Sequence, residues 1–241
     1  MSSNLATQTS SGIDLQTVSF VMSIIGTVIG VVLNLAPAVL FYEVFKKTKK
    51  YKEIPETMLI SNTLCALFWA CYWYRYGATI ALYSAVGNTI ISMVWNTLYL
   101  YFPFEGKKVH YILSVIVLYD IILQLIYVFA IWIGNIEITG KLAMIVNIVQ
   151  FAAPGQSILT VIKTGNYSLI PIVSTMVGVL VSFCWLCFGL IQQNWNCVIP
   201  NALGLLLSLA QIVVYYYFKI QGKKKGRNSK QQGEELIEVK E

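Results

Sequence analysis

The chain has 241 residues, 57% of them hydrophobic and only 12% charged, with a mean hydropathy of +0.67, and apolar runs this long and frequent exclude a soluble domain of its size. Its net charge of +6 would suit nucleic acid, but Lys and Arg fall in short blocks between apolar runs and in the tail, so they read as orientation signals and leaflet electrostatics. Five cysteines, Cys65, Cys71, Cys184, Cys187 and Cys197, sit mostly within apolar runs and make no disulfide framework. Cys184-Trp185-Leu186-Cys187 lacks the second pair or histidine that a metal or redox site needs. The composition describes an integral, multi-pass membrane protein.

Residues 1–18 form a polar segment without the basic region of a cleavable signal, so the first apolar run is expected to remain as a signal anchor. That run, residues 19–45, is long enough to cross about 30 Å of hydrocarbon at about 1.5 Å per residue, and Pro37 interrupts it. A lysine-rich block, Lys46-Lys47-Thr48-Lys49-Lys50-Tyr51-Lys52, follows. Pro55 opens a second span to Tyr76, Gly77 turns the chain, and a third span covers residues 79–102. Further spans are expected at 109–133, 142–162, 169–191 and 197–218, seven in all, before a charged tail, 219–241, expected to be disordered. Lysines and Arg227 concentrate in the loops after the first, third and fifth spans and in the tail, which puts the N-terminus outside or in a lumen and the C-terminus in the cytoplasm.

Laid on itself at a shift of about 116 residues, the chain repeats its features in order. Ala36-Pro37 returns as Ala153-Pro154, Ile54-Pro55 as Ile170-Pro171, Trp69 as Trp185 and Asn88 as Asn201. The expected fold is therefore all-α, two parallel three-helix repeats at 19–104 and 139–218 joined by a linker, 105–138, that carries the fourth span. A seven-helix receptor has no need of such a repeat.

The second copy, with Ala153-Pro154, Ser157, Val161-Ile162-Lys163-Thr164, Ile170-Pro171, Trp185, Gly189-Leu190 and Ile199-Pro200-Asn201-Ala202-Leu203-Gly204, resembles the SWEET (MtN3/saliva) sugar transporters over about residues 20–220. The resemblance implies paired asparagines, Asn88 and Asn201, and four repeat-related prolines, Pro37, Pro55, Pro154 and Pro171, acting as hinges. The first copy departs from the pattern in two places. Trp69 keeps the 14-residue distance from its proline that Trp185 keeps, whereas Trp73 keeps the distance to Gly77 that Trp185 keeps to Gly189, so both stand as candidates to line a pocket; and Ile91 stands where the family has glycine.

An Asn amide offers a donor and an acceptor and stays uncharged, and an indole offers a flat apolar face to the C–H side of a sugar ring. Sugar binding by Asn88, Asn201, Trp185 and Trp69 or Trp73 is weighed against interhelical hydrogen bonding for the asparagines and packing for the tryptophans. Asp120, in the fourth span, is expected to be protonated or paired rather than to couple protons, and His110, at a membrane boundary, supports no metal site. No nucleophile with base and orienter, phosphate loop or metal cluster suggests an enzyme, and no cofactor is implied.

The expected function is a facilitative, bidirectional uniporter of mono- or disaccharides working by alternating access in a plasma or internal membrane. Its partners are then the sugar, membrane lipid and, by resemblance, further copies of itself, with no nucleic acid. Two alternatives stand: a proton-coupled PQ-loop-type lysosomal or vacuolar exporter of amino acids or other small solutes, in which Pro154 would be followed by Gln rather than Gly155, and a membrane scaffold or receptor that moves nothing.

Overall fold

The structure, a computed structural model, describes residues 14–47, 56–101 and 135–238. The fourth span with Asp120 and His110, and also Pro55, lie outside the described residues. Every regular element among those described is helical.

The first span is two helices, α1 (Leu15–Asn34) and α2 (Pro37–Phe45). Pro37 has no N–H to give, and the Leu33 carbonyl accepts instead from Ala36 N at 3.1 Å, so the ladder breaks one residue before the proline. After α3 (Glu56–Tyr76) the chain reverses at Gly77, whose φ of +81° suits glycine, into α4 (Thr79–Tyr101). The fifth span repeats the break of the first: α5 (Ile136–Gln150) gives way at Phe151 to α6 (Ala152–Thr164), which holds Pro154 in its first turn. A short 3-10 turn, Tyr167–Leu169, leads to α7 (Ile172–Ile191), and α8 (Trp195–Glu238) closes the described chain.

Two expectations need correction. Pro171 is the cap residue just ahead of α7, where its missing N–H costs nothing, so it starts a helix rather than dividing one. The tail does not leave the helix at residue 219: α8 runs through to Glu238, its Lys, Gln, Glu and Arg residues favouring the helix against the cost of Gly222, Gly226 and Gly233.

Four stretches among the described residues are long and apolar enough to cross a membrane: Leu15–Phe45, Ile136–Thr164, Ile172–Ile191 and Trp195–Gly222. The helices α3 and α4, of 21 and 23 residues, have spanning length but carry tryptophans, tyrosines and asparagines that lower their hydropathy. Large apolar side chains such as Val28, Val32, Val39, Val173, Leu206 and Val213 are exposed, as on a protein whose solvent is lipid. The buried positions instead include small and hydroxylated residues, Ser19, Ser23, Thr63, Ser84, Ser92 and Ala143, which let helix backbones approach closely.

Contacts join α1 to α4, α3 to α4 and α1 to α7, and also α5 to α8, α7 to α8 and α3 to α5, while α6 packs on α8 as extensively as α5 does. Exchanging α1 with α5, α3 with α7 and α4 with α8 leaves the first six of these pairings unchanged. One core cluster draws Tyr72 and Trp73 from α3, Ala81 and Ala85 from α4, Ala143 from α5, Phe188 from α7 and Cys197 from α8. A second sits under α2, where Phe41 stacks on Trp95 at 5.4 Å beside Val44 and Leu59.

Asp14 caps α1, its carboxylate accepting from the backbone N–H of Gln16 and Thr17 at 3.1 and 3.3 Å, and these bonds, with that of the Thr17 hydroxyl, hold its pKa below the usual 3.8. A group depressed in the folded state stabilises above its unfolded pKa and loses that effect as pH falls through the folded one. Asp14→Ala is therefore expected to speed amide exchange in the first turn of α1 at neutral pH, by a margin that shrinks as pH drops below 3.8. An unchanged margin at acid pH would show that the cap does not act through its charge.

Candidate functional site

Trp69 and Trp73 stand one turn apart on α3, and their rings stack with centroids 5.2 Å apart and planes 19° apart. Trp73 stacks in turn on Trp185 of α7, at 6.4 Å and 21°. Of the two candidates it is Trp73 that meets Trp185, whereas Trp69 donates its indole N–H to Asn147 Oδ1 on α5 at 3.2 Å. Trp73 is buried, closed in edge-on by Tyr76 and Phe188 at 5.6 and 5.8 Å; Trp69 and Trp185 are half-buried. Three indoles thus lie in one run across the α3–α7 boundary, with an apolar face available at its half-buried members.

The two asparagines are half-buried and each has already committed part of its amide. Asn88 Oδ1 and its backbone carbonyl both accept from Asn34 Nδ2, the last residue of α1, at 3.2 and 3.1 Å. Asn201 Nδ2 donates to the Cys197 carbonyl at 2.7 Å, one turn back, in the stretch of α8 where buried Pro200 removes a ladder bond. Among the described residues this leaves Asn88 Nδ2 as a free donor and the Asn201 side-chain oxygen as a free acceptor. One donor and one acceptor on uncharged amides suit a hydroxylated, neutral ligand.

Sequence reasoning missed the residues that tie α3 and α7 together at the end of the bundle where α1 begins. Tyr72 donates its hydroxyl to Asn194 Oδ1 at 3.0 Å, in the turn between α7 and α8, and Asn196 Nδ2 approaches the same hydroxyl at 3.5 Å. Tyr76 donates to the Gln192 carbonyl at 3.3 Å, and Gln192 Nε2 donates to Ser19 Oγ at 2.9 Å on α1. Towards the opposite end, Gln150 Nε2 donates to Asn62 Oδ1 at 2.8 Å, which links α5 to α3. One signal was available: Asn34 and Gln150, both amides, each close the first half of a proline-broken span, 116 residues apart.

Two glycines were also overlooked. A Cβ on Gly26 of α1 would sit 3.2 Å from Cys184 Cβ and from Trp185 Nε1, and one on Gly140 of α5 would sit 2.7 Å from Tyr72 Cε2 and run into the Asn196 amide. They mark equivalent close approaches, α1 on α7 and α5 on α3. The cysteines of the CxxC serve this packing: Cys184 is buried beneath Gly26, Cys187 is half-buried, and all five cysteines are free.

This architecture is that of an all-α integral membrane protein, and comparison with known proteins places it more closely. Residues 137–223 match the family described as "Sugar efflux transporter for intercellular exchange", the MtN3/saliva family. The chain is 23% identical over 206 residues to a bidirectional sugar transporter, NEC1, of Petunia hybrida, covering 83% of this chain and 77% of that one. It is 26% identical to the bidirectional sugar transporter SWEET8 of Arabidopsis thaliana over 226 residues, 88% of this chain and 93% of the relative. The solved structure of a eukaryotic SWEET transporter, at 20% identity, superposes with a TM-score of 0.74 over 85% of this chain and 98% of that chain, and has the same fold. The resemblance to the SWEET family read from the sequence is borne out by the family match and the named relatives.

Gly140→Ala forces a methyl into Tyr72 and Asn196 and is expected to cost about 1–3 kcal/mol, whereas Gly26→Ala, with contacts at 3.2 Å, is expected to cost less. Thermal unfolding in detergent should rank them in that order; equal effects would argue against the tighter approach at α5. Tyr72→Phe, which removes the hydroxyl from Asn194, should cost about 1 kcal/mol in the same assay.

Proposed function

We propose that the chain is a sugar transporter, a passive bidirectional uniporter for mono- or disaccharides built as two parallel three-helix repeats joined by a linker helix within 105–138. The observation that carries the reading is the stack of Trp73 on Trp185 between helices whose pairings are exchangeable, with uncommitted amide atoms on Asn88 and Asn201. The names of its relatives in Petunia and Arabidopsis support a sugar as substrate.

The hydrogen bonds supply a direction for the repeats. Gln192 at the end of α7 meets Ser19 at the start of α1, so α1 and α7 are antiparallel; Tyr76 and Gln192 bring the ends of α3 and α7 together. Gln150 at the end of α5 reaches Asn62 near the start of α3, so α3 and α5 are antiparallel too, and α1 and α5 run the same way. The basic loops put the start of α1 outside or in a lumen.

In this reading the sugar's C–H face lies on the indole run and its hydroxyls bond the two amides. The bonds of Tyr72 to Asn194, Tyr76 to Gln192 and Gln192 to Ser19 hold the outer ends of the repeats together. Breaking them while the inner ends close is the alternating step, and the broken ladders at Pro37 and Pro154 give each first span a place to bend. Nothing in this scheme makes or breaks a covalent bond, so the protein acts as a carrier and not as an enzyme.

Radiotracer uptake into proteoliposomes tests the reading. Asn201→Ala is expected to cut sugar flux at least about tenfold with normal expression, the loss of about 1.4 kcal/mol of binding to a hydroxyl. Asp120→Asn is expected to leave flux intact and independent of an imposed pH gradient. Flux unchanged in Asn201→Ala removes that residue from the site, and flux abolished by Asp120→Asn alone favours a proton-coupled exporter.

A further inference from the structure

At the end of the bundle where α1 begins, the structure holds a cavity of about 630 Å³ that the indole run does not use. Its walls include Gln16 and Ser19 of α1, Tyr76 of α3, Thr79 of α4 and Phe188 and Gln192 of α7. Its volume lies within the roughly 300–1,000 Å³ typical of small-molecule sites. None of its lining residues is charged. A phosphate headgroup or an ion would find no counter-charge there, whereas a neutral polyol would find amides and hydroxyls on one side and the Phe188 ring on the other.

Among the described residues, the equivalent place in the other half is closely packed. Exchange of α1 with α5, α3 with α7 and α4 with α8 carries the cavity to the start of α5 and the α7–α8 turn. There Tyr72 and the Asn196 side chain pack onto Gly140 so closely that a single added Cβ would collide with both. The turn between α3 and α4 is Gly77-Ala78, with no amide to fill the space, whereas the turn between α7 and α8 carries Asn194, bonded to Tyr72. The asymmetry between these two places therefore comes from the sequence.

Phe188 forms a wall common to this cavity and the tryptophans, its ring edge-on to Trp73 and Trp185 at 5.8 and 5.5 Å. Gln192 ties the walls of the cavity to one another: its carbonyl accepts from Tyr76 and its side-chain amide donates to Ser19 and Gln16. We propose that this cavity is a second, outer docking site for the sugar, separated from the tryptophan and asparagine site by Phe188. It rests on the sugar-transport reading above for the identity of its ligand. A sugar held there lies against the Gln192 bonds that tie α1, α3 and α7.

Cysteine protection tests it on the full chain in proteoliposomes. Thr79 is exposed on the cavity wall, so Thr79→Cys is labelled with a membrane-impermeant maleimide added outside, and the parent chain, whose own cysteines are buried or half-buried, sets the background. Gln16→Cys on the facing wall repeats the measurement should the first variant not fold. Glucose and sucrose are the probes and betaine the osmotic control. One sugar is expected to slow labelling about tenfold at ten times its half-protecting concentration, by mass action, and to do so equally with Asn201→Ala added.

Protection that disappears when Asn201→Ala is added would mean that the cavity merely reports on the inner site, and would overturn the proposal. So would labelling at one rate with and without sugar, or no labelling above background. Labelling blocked in lipid but free in detergent, whatever the sugar, would identify a lipid as the occupant and overturn it as well. Uptake measured on the same vesicles separates the two readings: sugar protection of Thr79→Cys, with no sugar moved by that variant or by the parent chain, defeats the transport reading and leaves this site standing.

Discussion

Hydrocarbon supplies no hydrogen-bond partner, so each amide and hydroxyl in these spans must find one inside the protein or line a space that a polar ligand can enter. That constraint organises the structure. Asn96 reaches Thr63 and the Leu59 carbonyl from α4 to α3, and Gln211 reaches Ser157 and accepts from Thr175, binding α8 to α6 and α7. Both amides are buried, and they help to hold the helices of each half together. Asn88 and Asn201 differ from them in being only half-buried, and each keeps an amide atom uncommitted among the described residues.

Small residues make close contacts within each half and also across the boundary between them, where Gly26 meets Cys184 and Gly140 meets Tyr72. Beside these approaches the boundary carries stacked rings, Trp73 on Trp185, and hydrogen bonds from tyrosine hydroxyls to the α7–α8 turn. Ring stacking has little directional penalty for sliding, and a tyrosine hydroxyl is readily rehydrated at a membrane surface. Such a boundary is suited to separate and reform, in the way that alternating access requires.

Much of this was legible in the sequence. Hydropathy and turn residues located most ends of the described spans to within a few residues, although α5 begins six residues before the expected 142 and α8 runs twenty past 218, and the proline-broken first and fifth spans follow from Ala36-Pro37 and Ala153-Pro154. Pro171 misled because a proline reads the same whether it bends a helix or begins one, and only the neighbouring backbone decides. The choice between Trp69 and Trp73 was undecidable from spacing, since two residues one turn apart share a face; the contact with Trp185 and the bond to Asn147 separate them. Tyr72 and Asn194 gave no signal, because aromatic and amide residues near a span's end are what any membrane interface contains. The hidden role of Gly26 and Gly140 has the same origin: a close approach is a property of two helices, and one sequence segment carries only half of it.

The central claim is that one sugar sits between the two halves on the Trp73 and Trp185 side, within reach of both asparagine amides. An experimental structure with a transported sugar bound tests it most directly. The account predicts the ring against the indole run, with a hydroxyl accepting from Asn88 Nδ2 and another donating to the Asn201 side-chain oxygen. A sugar bound with neither amide within hydrogen-bond reach would contradict it.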